Sequence, residues 1–273
     1  MVGYLGLLLI LSSVATGAPA RIVYCLVILL VYSAADAIWD RVVEKTWRWP
    51  ISSWISGLIL SLIGLLPNSS LVLLVLMPLA ASAIKHLLHF GRARHLLNPA
   101  ASSLFVLGLF VPTVSWWGVS WGASAAIVTA LVGMFILWRQ ERLRTALAFL
   151  VVFFALSAAF AAVSGASASA IGQTVWILLI DGATGFFATV MLIEPVTSYF
   201  PTRRQRTIYG ALVGAFSAAF SYAQQFMPYA NIDPLIAGLL LGNLIGGLFF
   251  LPSVTKNVVQ SSTNTSSPRT SSG

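Results

Sequence analysis

The sequence predicts an all-α integral membrane protein of about ten transmembrane helices, arranged as an inverted repeat of five plus five. Three observations carry that expectation. Hydrophobic residues make up 58% of the 273 positions and charged residues 8%, against roughly 25% charged in ordinary soluble domains. Several apolar runs reach the ~20 residues that a helix needs to cross a bilayer. The basic residues collect in alternate connections between those runs.

Ten apolar segments follow one another, at about 3–18, 21–39, 51–66, 69–86, 100–116, 122–138, 145–164, 172–195, 207–227 and 233–251. All are expected to be helical, because backbone polar groups in hydrocarbon must be satisfied within their own segment. Pro78 lies inside the fourth and predicts a kink. The first segment has small residues near a possible cleavage point, like a signal peptide. It lacks a basic leader, however, and its removal would leave one half a helix short, so it reads as an uncleaved span. Residues 1–259 then form one transmembrane domain with halves at about 1–118 and 119–259, and the Ser/Thr-rich stretch 260–273 reads as a disordered tail.

Charge sets the orientation. Arg41, Lys45 and Arg48 follow the second segment; Lys85, Arg92 and Arg94 the fourth; Arg139, Arg142 and Arg144 the sixth; Arg203, Arg204 and Arg206 the eighth; Lys256 and Arg269 the tenth. Of the 15 Lys and Arg residues, only Arg21 falls in an odd-numbered connection. The positive-inside rule then makes the even connections and both termini cytoplasmic, in a multi-pass protein of the inner membrane. This distribution also argues against nucleic acid as the partner of a chain with net charge +8. The bilayer is its expected partner. Trp47, Trp49, Trp54, Trp116, Trp117 and Trp121 lie near segment ends and fit aromatic belts.

The halves echo each other. Ser56-Gly57 is followed by Pro67 as Thr184-Gly185 is followed by Pro195, and Asn98-Pro99 matches Asp233-Pro234 further on. Five spans is an odd number, so the second copy must lie inverted in the membrane. The third and eighth segments become equivalents, as do the fifth and tenth. Such repeats place a site near the midplane, and Gly57 and Gly185 are expected to allow close helix contact there.

Acidic residues inside apolar segments default to functional candidates. Asp181 is open between a cation, proton or cofactor role and a protonated acid bonded to a neighbouring backbone. Glu194 is followed by Arg203, Arg204 and Arg206, so an interfacial ion pair is the simpler reading, with an ion path as the other. Asp36 and Asp40 read as interfacial. His86, His89 and His95 share one connection, and His86 and His89 one helix face; contact with an anionic lipid or a phosphate-bearing cofactor is favoured over a metal, since no carboxylate is near in sequence. Cys25 is the single cysteine, so this chain alone supplies no iron–sulfur cluster, and no metal site is expected from it. No hydrolase, kinase or phosphate-loop motif is present.

Three stretches carry a family resemblance: GRARHLLNPA (91–100), FFATVMLIEPVTSYFPTRRQRTIYGALVG (186–214) and DPLIAGLLLGNLIGGLF (233–249). They resemble the D subunit of Rnf complexes and the B subunit of the sodium-pumping NADH:quinone reductase. The resemblance implies ten spans in an inverted repeat and an integral subunit of an electron-transport complex that couples redox to Na⁺ or H⁺ movement, with other membrane subunits as partners. It also implies FMN, joined in the family by phosphodiester to a hydroxyl at the outer face. Ser124 stands at that acceptor position in GVSWGAS (118–124), but Gly118 replaces the motif's Asp and Trp121 intrudes, which weighs against covalent attachment. Glu194 replaces the family's Asp, and Leu192-Ile193 its Ala-Thr. Asn98 and Asn243 fall on family positions. The expectation is therefore a Rnf/Nqr-like subunit, with Asn98 and Ser124 toward a cofactor and Asp181, Glu194 and Asn243 as path or structural polar residues. A channel or carrier for a small solute or cation, with the related inverted fold of urea and ammonium channels, is the alternative; a docking scaffold is a third.

Overall fold

The computed structural model describes residues 1–46, 49, 51–64, 70–90, 94–111, 117–118, 123–180, 182–194, 197–198, 200–227 and 232–250. Its helices follow the ten apolar segments. They are α1 (Val2–Ala15), α2 (Ala20–Val42), α3 (Ile51–Gly64), α4 (Leu71–Leu87), α5 (Pro99–Gly108), α6 (Ala123–Arg139), α7 (Leu143–Val163), α8 (Ala168–Ile180), α9 (Gly182–Phe186), α10 (Arg203–Ala223) and α11 (Pro234–Phe250). A two-residue antiparallel ladder, β1 (His89–Phe90) with β2 (Arg94–His95), closes the connection after α4. His89 therefore lies beyond the helix that carries His86, and the two do not share a helix face.

Among the described residues, α2 and α7, at 23 and 21 residues, are long and apolar enough to cross a membrane; α8 joined to the helix after it would make a third. α4 runs through Pro78 without interruption of its helical span. The eighth segment, in contrast, breaks. α8 ends at Ile180, α9 begins at Gly182, and the two directions differ by 51°. α9 then passes into a π-helical turn, Phe187–Met191, in which Leu192 N donates to Phe187 O at 2.9 Å. Thr189 Oγ1 donates to Gly185 O at 2.8 Å within the same stretch. π-turns of this kind collect at functional sites.

Packing in the first five segments recurs in the second five. α1 lies on α3, as α6 lies on α9 and the π-turn; α2 contacts α3 and α4, as α7 contacts α8 and α10; α4 packs on α5, as α10 packs on α11. Between the halves α1 meets α6 and α5 meets α11, so two elements each meet their own counterpart. Contacts between equivalent elements are what a two-fold relation between halves produces. The two central elements are equivalents as well: α3 is buried from Ser56 to Gly64, and Gly182 to Ile193 is buried except at Gly185.

Close approach falls at one of the two expected glycines: Gly57 has it, with a β-carbon there 2.9 Å from Leu29 Cδ2, and Gly185 does not. A β-carbon on Gly185 would meet nothing nearer than Thr129 Cγ2 at 3.9 Å. The tighter crossings are α7–α10–α11. A β-carbon on Gly210 would lie 2.2 Å from the Thr145 carbonyl oxygen, and one on Gly238 the same distance from Ser217 Oγ. Small residues let backbones pack at van der Waals range where no water is expelled to drive association. The rings of Phe149 and Phe187, with centroids 5.0 Å apart, fill the space beneath.

The interior is mostly apolar, but so is much of the outside. Leu30, Leu71, Phe110, Trp138, Val151, Val163, Trp176 and Phe249 are exposed, whereas Arg21, Asp36, Ser53, Ser61, Asn98, Ser103 and Asn243 are buried. α8, mainly apolar, has no fully buried residue.

Candidate functional site

The site sits where the halves meet, and helix capping builds it. Asn98 is the N-cap of α5: its extended backbone starts the helix, Pro99 occupies the first helical position, and Oδ1 accepts from Ala101 N at 2.9 Å. That uses one side-chain atom of a residue only 1% exposed. The other, Nδ2, donates to Glu194 Oε2 at 2.7 Å, in the opposite half. Thr197 Oγ1 donates to the same carboxylate oxygen at 3.1 Å. Glu194 thus lies against an amide and a hydroxyl just beyond the π-turn. The sequence expectation paired it with Arg203, Arg204 or Arg206; Arg203 instead faces Glu141 at 3.6 Å, both exposed. Behind the carboxylate, Ser198 Oγ donates to Glu194 O at 2.7 Å, and Arg142, buried, donates from Nη1 to Ser198 O at 2.8 Å.

Asp233-Pro234, the matching pair, does the same at α11. Asp233 Oδ1 accepts from Leu235 N at 2.9 Å and Ile236 N at 3.1 Å. Its Oδ2 accepts from the Trp117 indole N–H, a residue of the first half. Trp117 is thereby a core residue and not part of an aromatic belt. It is 8% exposed, packs edge-on against Phe186 and Phe187 with centroids 6.5 and 6.3 Å away, and donates its backbone N–H to Ile63 O at 3.0 Å. Within α10 and α11, Tyr209 OH donates to Asn243 Oδ1 at 2.5 Å. Asn243 Nδ2 has no hydrogen-bond partner among the described residues.

Asp36 is a second buried polar centre. It is 3% exposed. Ser53 Oγ donates to Oδ2 and Ser82 Oγ to Oδ1; Lys85 pairs with Oδ2, and His86 Nε2 lies 3.1 Å from Oδ1. His86 also stacks on Trp39, with centroids 5.0 Å apart. The imidazole of His86 is thus engaged by protein groups on one ring nitrogen and one face. A carboxylate shell near His86, absent from its sequence surroundings, is present in space: Asp40, Glu44 and His86 bring ligand atoms within 4.8 Å of one another.

Ser124 is exposed in the first turn of α6. Gly118, the position of the missing Asp, backs onto Arg21: a β-carbon there would lie 2.0 Å from Nη2 of that fully buried guanidinium. Asp181 lies outside the described residues, as do Trp47, Arg48, Arg92, Trp116, Trp121 and the tail from residue 251. The contacts of Trp117, Arg142 and Asp36 leave no sequence signal, because each joins segments far apart in the chain; Thr197 is only three residues from Glu194, but a hydroxyl at that spacing is too common to mark a partner. The sequence had a usable signal for one pair, since the matched Asn-Pro and Asp-Pro dipeptides are N-cap signatures.

The chain matches no family model, and no curated protein matches it.

Proposed function

We propose that the chain is an integral membrane protein of ten spans in an inverted five-plus-five repeat, serving as the ion-coupling subunit of an electron-transport complex similar to Rnf and Nqr. The observation that carries the membrane reading is the apolar exterior: large side chains such as Leu30, Phe110, Trp138, Val151 and Phe249 are exposed. Exposed large apolar side chains in that number fit contact with lipid or a partner better than with water. α8, with no fully buried residue, fits a neighbouring subunit or lipid. The three family-like stretches support the complex to which such a subunit belongs.

Within that reading the Asn98–Glu194–Thr197 cluster is the coupling element. A carboxylate beside an amide and a hydroxyl, at the end of a broken helix between the halves, has oxygen ligands for a cation and a place to hold a proton. We take the protein to be a member without covalent FMN. Ser124 offers a hydroxyl at a helix N-terminus, where a phosphate is favoured. The acidic partner in the motif is missing, and the Arg21 guanidinium fills the space in front of Gly118.

NADH-driven Na⁺ or H⁺ uptake into inverted vesicles tests the proposal, with Glu194→Gln and Asp181→Ala compared with wild type at equal membrane content. Loss of uptake with electron transfer retained is expected. Unchanged coupled uptake in both variants would remove these acids from the mechanism. The second reading, a channel or carrier, is favoured by the buried polar contacts between halves. It predicts solute or cation flux into liposomes holding this chain alone.

A further inference from the structure

Where the C-terminal end of α6 meets the N-terminal ends of α7 and α10, the chain forms a cavity of about 520 Å³. Arg139, Arg144, Arg203 and Arg206 line it, against a single acid, Glu141. Arg203 faces that acid at 3.6 Å. The other three arginines make no ion pair among the described residues. Arg206 is half-buried, and its Nε is fully enclosed with no hydrogen-bond partner among the described residues. A concave site carrying that excess of guanidinium groups selects a multiply oxygenated anion, for which phosphate has the matching geometry.

The flanks say which phosphate. Trp138 and Leu143 border the cavity and are exposed. From them, exposed apolar side chains continue at helical spacing along one face of each helix: Phe135 and Leu131 on α6, Leu147 and Val151 on α7. A free phosphate has no use for such tracks, whereas acyl chains do. The charge alternation also puts this end of α6, α7 and α10 at the cytoplasmic boundary, where basic pockets between helices meet lipid headgroups.

We propose that the cavity binds the phosphate headgroup of an anionic glycerophospholipid, with its acyl chains lying along the exposed faces of α6 and α7. This rests on the membrane reading above. Titration of the purified full chain, followed by native mass spectrometry, tests it with three probes: phosphatidylglycerol, phosphatidylcholine and inorganic phosphate. Wild type should prefer phosphatidylglycerol over phosphatidylcholine by about tenfold or more, which one charge-assisted contact supplies. The double variant Arg144→Gln/Arg206→Gln should lose that preference, and Arg204→Gln, exposed and outside the cavity, should keep it. If the double variant loses its helical circular dichroism, Arg144→Gln alone, at an exposed side chain, should still weaken the preference. An unchanged preference in the folded variants would overturn the proposal. So would displacement of phosphatidylglycerol by an equal concentration of inorganic phosphate, which would assign the cavity to a free anion. Alkaline carbonate extraction of expressing membranes separates the two levels: release of the chain refutes the membrane reading, whereas retention with unchanged lipid preference refutes the cavity alone.

Discussion

Exchanging the two groups that join Asn98 to Glu194 separates the roles of this contact. Asn98→Asp keeps the α5 cap, since Asp and Asn are equivalent there, but it sets an acceptor where Nδ2 now donates across 2.7 Å. The lost hydrogen bond to a carboxylate is worth about 1.5–3 kcal/mol, and two carboxylates facing each other cannot both ionise at no cost. Glu194→Gln alone keeps an acceptor for Nδ2 and loses only the charge assistance, about 1 kcal/mol. Independent effects would leave the double variant about 2.5–4 kcal/mol below wild type. The exchanged pair, however, sets the introduced amide at 194 against the introduced carboxylate at 98. It should return to within about 1 kcal/mol of wild type, a coupling of about 2 kcal/mol in the cycle. Equilibrium unfolding in mixed detergent micelles, followed by tryptophan fluorescence, measures all four proteins. A double variant no more stable than the sum of the singles would refute a direct contact between the halves at this point.

Three further outcomes are expected. Gly210→Ala should destabilise by about 1–3 kcal/mol through overpacking against the Thr145 carbonyl, whereas Gly172→Ala, with open space around it, should be neutral or gain up to about 1 kcal/mol of helix propensity; the same unfolding assay compares them. Asp36→Asn should destabilise by about 1–3 kcal/mol, through loss of its charge-assisted bond with Lys85, and adding Lys85→Met should recover part of it. After co-expression with a flavin transferase shown active on a control target, the denatured chain should be dark on a gel; a fluorescent band abolished by Ser124→Ala would refute the reading without covalent flavin.

Helix positions were legible because apolar runs bounded by Pro, Gly and basic clusters mark them directly. α2 spans Ala20–Val42 where the sequence put 21–39, and α7 spans Leu143–Val163 where it put 145–164. The interruption in the eighth segment was not legible. Asp181-Gly182 marks the place, but the apolar run on both sides reads as one span, and a π-turn depends on which carbonyls the packed neighbours leave open. Side-chain partners were the least legible. The position of Asp36 near a segment end gave no sign of its partners, because the hydroxyls and cations that surround it come from α3 and α4. Charge proximity in sequence likewise pointed Glu194 toward arginines, whereas its carboxylate takes bonds from Asn98 and Thr197 and Arg203 faces Glu141.

The matched dipeptides show how one physical requirement leaves a trace in both halves while its partner leaves none. A helix that starts inside an apolar interior has orphan backbone N–H groups with no water to take them. A short polar side chain must therefore cap it, and Pro at the first position removes one orphan and fixes φ. That requirement acts equally on α5 and α11, so Asn-Pro and Asp-Pro recur at equivalent places. The cap uses one side-chain atom, and the second must also be satisfied. Here the residue type decides the chemistry of the partner: the Asn98 amide is a donor and meets the Glu194 carboxylate, while the second oxygen of Asp233 is an acceptor and meets the Trp117 indole N–H. Both partners come from the opposite half. The caps that begin the two equivalent helices are thus also polar bolts between the halves, one donating and one accepting. A movement of one half against the other, as an alternating ion path requires, must break or exchange them.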